Sequence, residues 1–346
     1  MIMPKYKGLL QLFSYGYDKR VNLRIICLFL LLPLSAAFAG GGSDSKSQLA
    51  SKGQTLAAVD ENQEERPPDQ RTEESQGEKI MKALARAYPD RIEKAEYHDG
   101  DWTVILYGER FYYAEGRLLP ASLQDKINEY APLPFYNYLK EFPPWVTPTT
   151  EESDRIREQE RLREIRQMQI KRSTHFFDTL WRSYNRDDAW EHVKQIRFLG
   201  IPVQVHYSIL VELSLVEEQI LRMAKTNNAV RQWTNNVSSL EGWQWRNIAA
   251  SQNRSYHAYG AAIDILPKSY GSLEAYWLWT ARHTPDWWTV PYSRRFHPPE
   301  EVIKAFESCG FIWGGKWRYY DTIHFEYRPE ILVLSGIAQL DKRELR

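Results

Sequence analysis

Two short segments in the second half of the chain combine imidazole and carboxylate groups at spacings that suit a metal site. The first reads S-x-H-x-x-G-x-A-x-D and supplies His257 and Asp264, whereas the second supplies Asp321 and His324. Two histidines and one carboxylate leave a tetrahedral zinc ion with one open position, which is the arrangement of catalytic zinc sites. The remaining carboxylate could then act as a general base. These residues therefore predict hydrolytic zinc chemistry.

The first segment needs a loop followed by a strand. In a pleated strand Ala262 and Asp264 share one face, so the carboxylate can point into a site past a small neighbour. Gly260 permits the backbone to fold His257 back towards Asp264. We therefore expect His257 on the loop and Asp264 on the strand that follows the glycine.

The second segment needs a bend before its strand begins. Residues three apart in a regular strand point to opposite faces, so Asp321 and His324 converge only if Asp321 lies in the preceding loop. Within the strand, Glu326 shares the face of His324 and could fix a neighbouring imidazole or cation.

The two motifs resemble those of the zinc D-alanyl-D-alanine carboxypeptidase family, the VanY-like branch related to the hedgehog fold. The resemblance covers residues from about Val230 to Arg328. It implies that zinc is bound by three ligands and that an acidic residue three before the last histidine is the catalytic base, a position that some relatives fill with glutamate. On this chain the implied ligands are His257, Asp264 and His324, and the implied base is Asp321.

Substrate recognition requires a cation near the metal, because a peptide with a free carboxylate or a polarised carbonyl carries negative charge there. Arg246 and Arg254 are the candidates, and the family pattern favours Arg246, whereas Arg254 could shape the loop. We also predict Ser255 and Trp317 as substrate-binding residues, Trp317 because the stretch before Asp321 resembles the family pattern. Four other tryptophans are expected mainly to fill a core, namely Trp277, Trp279, Trp287 and Trp288.

The fold class predicted for the chain is α+β. The C-terminal domain is expected to be a small antiparallel sheet with flanking helices, like the hedgehog and DD-peptidase fold, and a small N-terminal α+β region precedes it. The predicted divisions are a signal peptide (1–39), a disordered linker (40–78), a small accessory α+β region (79–150), a charged helical connector (151–190), a zinc peptidase domain (191–335) and a C-terminal tail (336–346).

Composition limits the class of partner. The 346 residues include 45 Lys plus Arg and 45 Asp plus Glu, so no global field attracts nucleic acid. An apolar run ending in Ala37-Phe38-Ala39 follows basic residues and predicts an export signal, with an uncleaved membrane anchor as the alternative. Cys27 lies in that run and Cys309 is the only other cysteine, so cleavage would leave no internal disulfide.

These observations favour a secreted zinc metallopeptidase, periplasmic or extracellular, that hydrolyses D-amino-acid-containing peptidoglycan stem peptides. It would act as a D-alanyl-D-alanine carboxypeptidase or as a related endopeptidase, and the sequence does not choose between these. Two alternatives remain at this point: a non-catalytic zinc-containing module that binds cell wall or a protein, and a zinc peptidase acting on ordinary proteins. The oligomeric state and the role of residues 79–190 are open.

Overall fold

Short antiparallel sheets and several helices make up the part of the chain that the structure describes. The computed structural model describes residues 74–337, and these lie in the compact unit that begins at Asp69. The predicted signal peptide (1–39) and residues 40–73 of the predicted linker lie outside the described residues, as do residues 338–346 of the predicted tail. The fold is α+β.

The described residues contain ten strands and ten α-helices. In chain order the strands are β1 (Ile92–His98), β2 (Asp101–Leu106), β3 (Glu109–Tyr112), β4 (Leu119–Pro120), β5 (Val193–Phe198), β6 (Ile201–His206), β7 (Val237–Glu241), β8 (Ala262–Pro267), β9 (Phe311–Trp313) and β10 (His324–Tyr327). The helices are α1 (Gln76–Ala87), α2 (Thr150–Arg161), α3 (Arg163–Gln169), α4 (His175–Trp181), α5 (Arg186–Glu191), α6 (Leu210–Ala224), α7 (Asn228–Asn236), α8 (Trp277–Thr280), α9 (Glu300–Ser308) and α10 (Pro329–Leu334).

Three sheets form among the described residues. The first has the order β1-β2-β3-β4, the second is the hairpin of β5 and β6, and the third has the order β7-β8-β10-β9. Every strand pair is antiparallel. The third sheet carries the predicted ligands, because Asp264 lies on β8 and His324 begins β10.

The apolar faces of the helices pack against these sheets. Helix α1 begins after Ser75, whose hydroxyl accepts the Glu78 amide, and it buries Ile80 and Leu84. Helix α9 buries Phe306, whose ring stacks on Phe325 of β10 with centroids 3.9 Å apart. One hydrophobic cluster has members from Ile80 in α1 to Tyr327 in β10, so the N-terminal sheet and the sheet that carries the predicted ligands share a core.

The hairpin of β2 and β3 turns at Tyr107-Gly108, and β1 pairs with β2 as a further strand. Strands β5 and β6 form a second hairpin. Gly200 has a φ of +76°, so it allows the tight turn between these two strands.

The predicted division at 79–150, 151–190 and 191–335 differs from the structure in two respects. Helix α1 starts at Gln76, inside the predicted linker, because the Ser75 cap defines its first turn. The predicted charged connector contains α4, whose Phe176 and Leu180 are buried in the shared core. Helices α2, α3 and α5 are the charged, largely exposed helices that were expected in that region.

Between residues 74 and 337 the structure contains no helix that is both long enough and apolar enough to span a bilayer.

Candidate metal centre and active site

The register of two strands brings the predicted ligands together. His324 on β10 lies directly opposite Asp264 on β8, and Glu326 lies opposite Ala262. Directly opposed residues of an antiparallel pair share a face. As a result His324 Nδ1 is 2.8 Å from Asp264 Oδ1, and both side chains are buried.

His257 completes the cluster from a loop. Its Nε2 is 3.2 Å from Asp264 Oδ1 and 3.2 Å from His324 Nδ1. The ligand atoms of the three residues all lie within 4.8 Å of one another, and no other such group occurs among residues 74–337. The structure therefore brings together the three residues that the sequence named as ligands.

Two glycines fix the His257 loop. Gly260 ends the short helical turn Tyr256–Tyr259 with a φ of +69°, and a Cβ there would lie 2.7 Å from the His206 amide nitrogen. Gly242 packs so tightly that a Cβ would lie 2.0 Å from the Gln204 carbonyl oxygen. The Gly242 carbonyl in turn accepts His257 Nδ1–H at 2.6 Å. Both glycines thus allow close backbone approaches that aim His257 Nε2 at the cluster.

The protons on the two imidazoles show that the cluster fits a cation. A carbonyl can only accept, so His257 Nδ1 carries a proton and its Nε2 presents a lone pair. Glu326 Oε2 lies 3.1 Å from His324 Nε2, which places the proton there and leaves Nδ1 of a neutral ring as a lone pair. The three facing atoms are 2.8–3.2 Å apart. Three ligands of a tetrahedral zinc with bonds of about 2.0–2.1 Å would be roughly 3.3 Å apart, so the donor set fits this metal.

Without a cation the same residues hold a proton instead. Burial alone would lower the pKa of His324, but its hydrogen bonds to Asp264 and Glu326 raise it to about 10. Burial alone would raise the pKa of Asp264, but the charge and hydrogen bond of His257, followed by those of His324, hold it well below its usual range. Positive charge is therefore favoured at this point of the fold, whether a proton or a metal supplies it.

Asp321 lies in the bend before β10, as the strand geometry requires. Its amide donates to the Gly314 carbonyl at 3.0 Å, and it forms an isolated bridge with Tyr276. Its Oδ1 is buried and has no hydrogen-bond partner within the described part of the chain. Burial raises the pKa of Asp321 to about 7; the charge of Asp264 raises it further, and that of His324 opposes the rise. A carboxylate with such a pKa and an oxygen atom free of hydrogen bonds is suited to accept a proton near neutrality.

The two candidate arginines have different environments. Arg246 is exposed, its Nε donates to Gln244 Oε1 at 2.9 Å, and its charge lowers the pKa of Asp321. Arg254 is held by the Asp178 carboxylate and by the Ser183 carbonyl, and its guanidinium lies over the Trp245 ring at 4.4 Å. Arg246 is therefore available on the side of Asp321, whereas Arg254 shapes the loop.

Ser255, predicted to contact substrate, lies at the start of the turn that carries His257. It is 5% exposed, it precedes the turn that carries His257, and its Oγ accepts the His257 amide at 3.3 Å. We therefore assign Ser255 to positioning the His257 loop. The predicted contact did not take into account that a serine at this place caps the turn.

Trp317 lies beside the metal centre. Its ring centroid is 5.4 Å from that of His324, and its Nε1 donates to the Tyr136 hydroxyl at 2.8 Å. Of the four tryptophans expected in a core, Trp287 and Trp288 are buried, but Trp279 is 40% exposed. The Trp279 ring packs edge to face with Tyr276, the bridge partner of Asp321, and the two ring centroids are 5.6 Å apart. Aromatic rings thus lie near both sides of the centre.

The comparisons with known proteins agree with this geometry. Residues 249–327 match a peptidase family. The description of that family is D-alanyl-D-alanine carboxypeptidase, and the matched segment contains the three ligand residues, Asp321 and Trp317 but not Arg246. Residues 80–135 match a family described as a domain of unknown function. Neither a curated protein nor a solved structure matches the chain. The peptidase-family segment therefore holds the whole candidate metal centre.

Sequence reasoning missed several contributors to the site. The Gly242 carbonyl is a backbone group, so no residue type predicts its hydrogen bond with His257. Tyr276 and Tyr136 reach the site from loops distant in the chain, and their aromatic character alone would not distinguish them from core residues. The only available signal was for Glu326, whose alternation with His324 predicted a shared face.

Proposed function

We propose that the chain is a zinc-dependent peptidase that hydrolyses peptidoglycan stem peptides containing D-amino acids. The match of residues 249–327 to a D-alanyl-D-alanine carboxypeptidase family supports the substrate class. The observation that carries the proposal is the buried, unpaired Oδ1 of Asp321 next to a three-ligand cluster. A purely structural metal site has no need of a second carboxylate with a buried oxygen atom left without a hydrogen bond.

His257, Asp264 and His324 would hold the metal. When bound there, zinc would supply Lewis-acid chemistry, lowering the pKa of a water molecule and polarising a substrate carbonyl. Asp321 accepts a proton at Oδ1 and returns it to the leaving amine, a role for which its position and pKa suit it. Zinc at the cluster would lower that pKa, because a nearby cation favours the carboxylate.

Arg246 and Trp317 are proposed to bind the substrate. Arg246 is the exposed cation on the side of Asp321, and its guanidinium can pair with a peptide carboxylate or steady the negative charge that develops on the carbonyl oxygen. Trp317 offers an aromatic wall beside His324. Arg246 thus offers a positive charge for the negative charge of the candidate substrate, and among the described residues it forms no salt bridge with a carboxylate.

Export is part of the proposal, because peptidoglycan lies outside the cytoplasm. Its support is the basic and apolar pattern that ends in Ala37-Phe38-Ala39, which lies outside the described residues. A periplasmic or extracellular location follows from the substrate. The partner would be the stem peptide itself, with no nucleic acid.

The test is mass spectrometry of defined substrates after incubation with the zinc-loaded full chain. We expect muropeptides ending in D-Ala-D-Ala to lose D-alanine, or cross-linked muropeptides to be cut at the D-amino acid, and Asp321→Asn to abolish either product. The first product identifies a carboxypeptidase and the second an endopeptidase. Digestion of an unfolded polypeptide as readily as stem peptides would overturn the substrate class. Zinc binding without any product, with Asp321→Ala unchanged, would establish a non-catalytic binding module instead.

A further inference from the structure

A buried chain of polar side chains links the candidate metal ligand His324 to the N-terminal region. His324 Nε2 is 3.1 Å from Glu326 Oε2, and Glu326 Oε1 is 3.5 Å from Arg328 Nη1. The Arg328 Nε donates to Glu330 Oε1, and the other oxygen of Glu330 accepts the Tyr88 hydroxyl at 2.7 Å. Tyr88 lies at the end of α1, far from the peptidase-family segment in sequence.

This chain is closed to water. The exposed fractions are 8% for Glu326, 2% for Arg328, 0% for Glu330 and 1% for Tyr88. Removing charged groups from water costs several kcal/mol per ion, and well-packed apolar residues are often as stable or more stable in their place. Stability alone therefore does not explain two carboxylates and a guanidinium at this position.

Two contacts connect Arg328 to the N-terminal region. One is Tyr88 through Glu330, and the other is the Pro134 carbonyl, which accepts Arg328 Nη2 at 3.4 Å. Tyr88 and Pro134 both belong to the segment 80–135 that matches a domain of unknown function. The rings of Tyr256 and Phe177 lie 4.8 Å and 5.5 Å from the same guanidinium and limit its movement.

We propose that Tyr88, Glu330 and Arg328 are positioning residues that hold Glu326 against His324, so that the N-terminal region sets the affinity of the metal centre. Glu326 keeps the proton of His324 on Nε2 and leaves Nδ1 free for the metal. Arg328 fixes Glu326, and Glu330 with Tyr88 fixes Arg328. This role rests on the proposed metal site. Through this role the segment 80–135 would influence metal binding by the segment 249–327.

The size of the effect follows from other metal sites. Outer partners of a ligating histidine change metal affinity by about 10- to 100-fold when they are removed. Here Tyr88 is four contacts away from His324, so Tyr88→Phe should have the smallest effect and Glu330→Gln a larger one. Both substitutions keep the shape of the side chain, which limits the loss of packing.

The fold supplies a matched control. The Tyr138 hydroxyl donates to Glu307 Oε1 at 2.7 Å, the same distance as for Tyr88 and Glu330, and Lys316 Nζ is 2.6 Å from the same Glu307 oxygen. Tyr138 and Glu307 are buried like Tyr88 and Glu330. This second tyrosine–glutamate pair makes no contact with the three ligands. The Tyr138 hydroxyl also accepts the Trp313 amide at 3.0 Å, so Tyr138→Phe removes two buried hydrogen bonds. The pair therefore measures what the loss of buried hydrogen bonds away from the ligands does to stability.

The experiment compares zinc affinity, measured by competition with a chelator, and the Tm of the metal-free full chain. We expect Tyr88→Phe and Glu330→Gln to weaken zinc binding by about 10-fold or more, and Tyr138→Phe and Glu307→Gln to leave it within about threefold of wild type. All four should lower Tm. If affinity falls in proportion to Tm in all four, the positioning role is wrong.

The two proposals fail in different ways. A wild-type chain that binds no zinc would overturn the proposed metal site and this inference with it. A wild-type chain that binds zinc, with Tyr88→Phe and Glu330→Gln indistinguishable from their controls, would overturn only the inference. If Glu330→Gln does not fold, Tyr88→Phe decides the question, because it removes one hydroxyl and keeps the ring contacts with Trp181 and Tyr327.

Discussion

His324 and Asp264 face each other across β10 and β8, and their side chains meet with Nδ1 2.8 Å from Oδ1. The pairing register of the two strands thus brings together two candidate ligands that are far apart in sequence. Because a slip of one residue would turn either side chain to the other face of the sheet, the metal centre depends on the core that fixes the register. Phe325, between His324 and Glu326 in the chain, belongs to that core.

The first prediction concerns Asp264 and a neighbouring carboxylate. Glu241 is the other cross-strand partner of Asp264, on β7, but its side chain is exposed. We expect Asp264→Asn to weaken zinc binding by more than the roughly 100-fold upper range of outer partners, because an amide is a poor substitute for a carboxylate ligand. Glu241→Gln should bind zinc like wild type. Isothermal titration calorimetry with the metal-free proteins measures both, and equal affinities for the two variants would contradict the assignment of Asp264.

The second prediction compares two glycines with nearly the same backbone conformation. Gly260 has a φ of +69° and Gly271 a φ of +63°, but only at Gly260 would a Cβ meet backbone, 2.7 Å from the His206 nitrogen. Gly271→Ala should cost about 1–2 kcal/mol of unfolding free energy, which is the strain of the conformation. Gly260→Ala should cost more and should also weaken zinc binding, because the His257 turn must move.

Chemical denaturation and zinc titration of the two alanine variants check this prediction. If both variants lose the same stability and both retain wild-type zinc affinity, then the close approach at Gly260 does not position His257.

Much of the arrangement of the candidate metal ligands could be predicted from the sequence, because these residues lie in two local motifs. The alternation of side chains in a strand was enough to place Asp264 and Glu326, and the mismatch of a three-residue spacing was enough to place Asp321 in a bend. The cap that Ser255 forms could not be predicted, because a serine can bind substrate or cap a turn and its residue type does not tell which.

The remaining contacts could not be predicted, since they join distant parts of the chain. The Tyr88 hydroxyl meets Glu330 at a separation of 242 residues, and no local pattern marks either partner. For the same reason the shared core of α1 and the peptidase-family segment was not expected. An amphipathic helix shows which face is buried, but not what covers it.

The third prediction concerns Asp321 in the metal-free protein. Its folded pKa is raised to about 7 from the ordinary aspartate value of 3.8, so the folded state binds the proton more tightly than the unfolded chain does. The contribution of Asp321 to stability is therefore present below about pH 3.8 and is lost as the pH rises to about 7. Asn carries no charge, so Asp321→Asn should be more stable than wild type at pH 8, by roughly 1–3 kcal/mol.

The measurement is urea denaturation at pH 4 and pH 8 with a chelator present. Asp321→Asn should raise the free energy of unfolding at pH 8, and the increase should be smaller at pH 4. Asp125→Asn, at an exposed aspartate, should change the free energy of unfolding little at either pH. A variant that is destabilised at pH 8 would show that the buried Oδ1 has a favourable partner in solution.

The last prediction separates the two arginines. Arg246 is exposed and bonded only to neighbours in its loop, so Arg246→Ala should leave Tm unchanged. Its loss should lower kcat/KM by about 10- to 100-fold for stem peptides with a free terminal carboxylate, because a charged hydrogen bond contributes about 1.5–3 kcal/mol. Arg254→Ala breaks a largely buried pair with Asp178 and should cost about 2–4 kcal/mol of stability.

Peptides amidated at the C-terminus distinguish the two ways in which Arg246 could act. If the arginine pairs with the substrate carboxylate, wild type should already be slow on the amide, and Arg246→Ala should slow it no further. If the arginine steadies the charge that develops on the scissile carbonyl, the variant should lose the same factor on both substrates, since that charge forms in either case. An Arg246→Ala enzyme as active as wild type on both peptides, with Arg254→Ala folded but inactive, would reverse the assignment of the two residues.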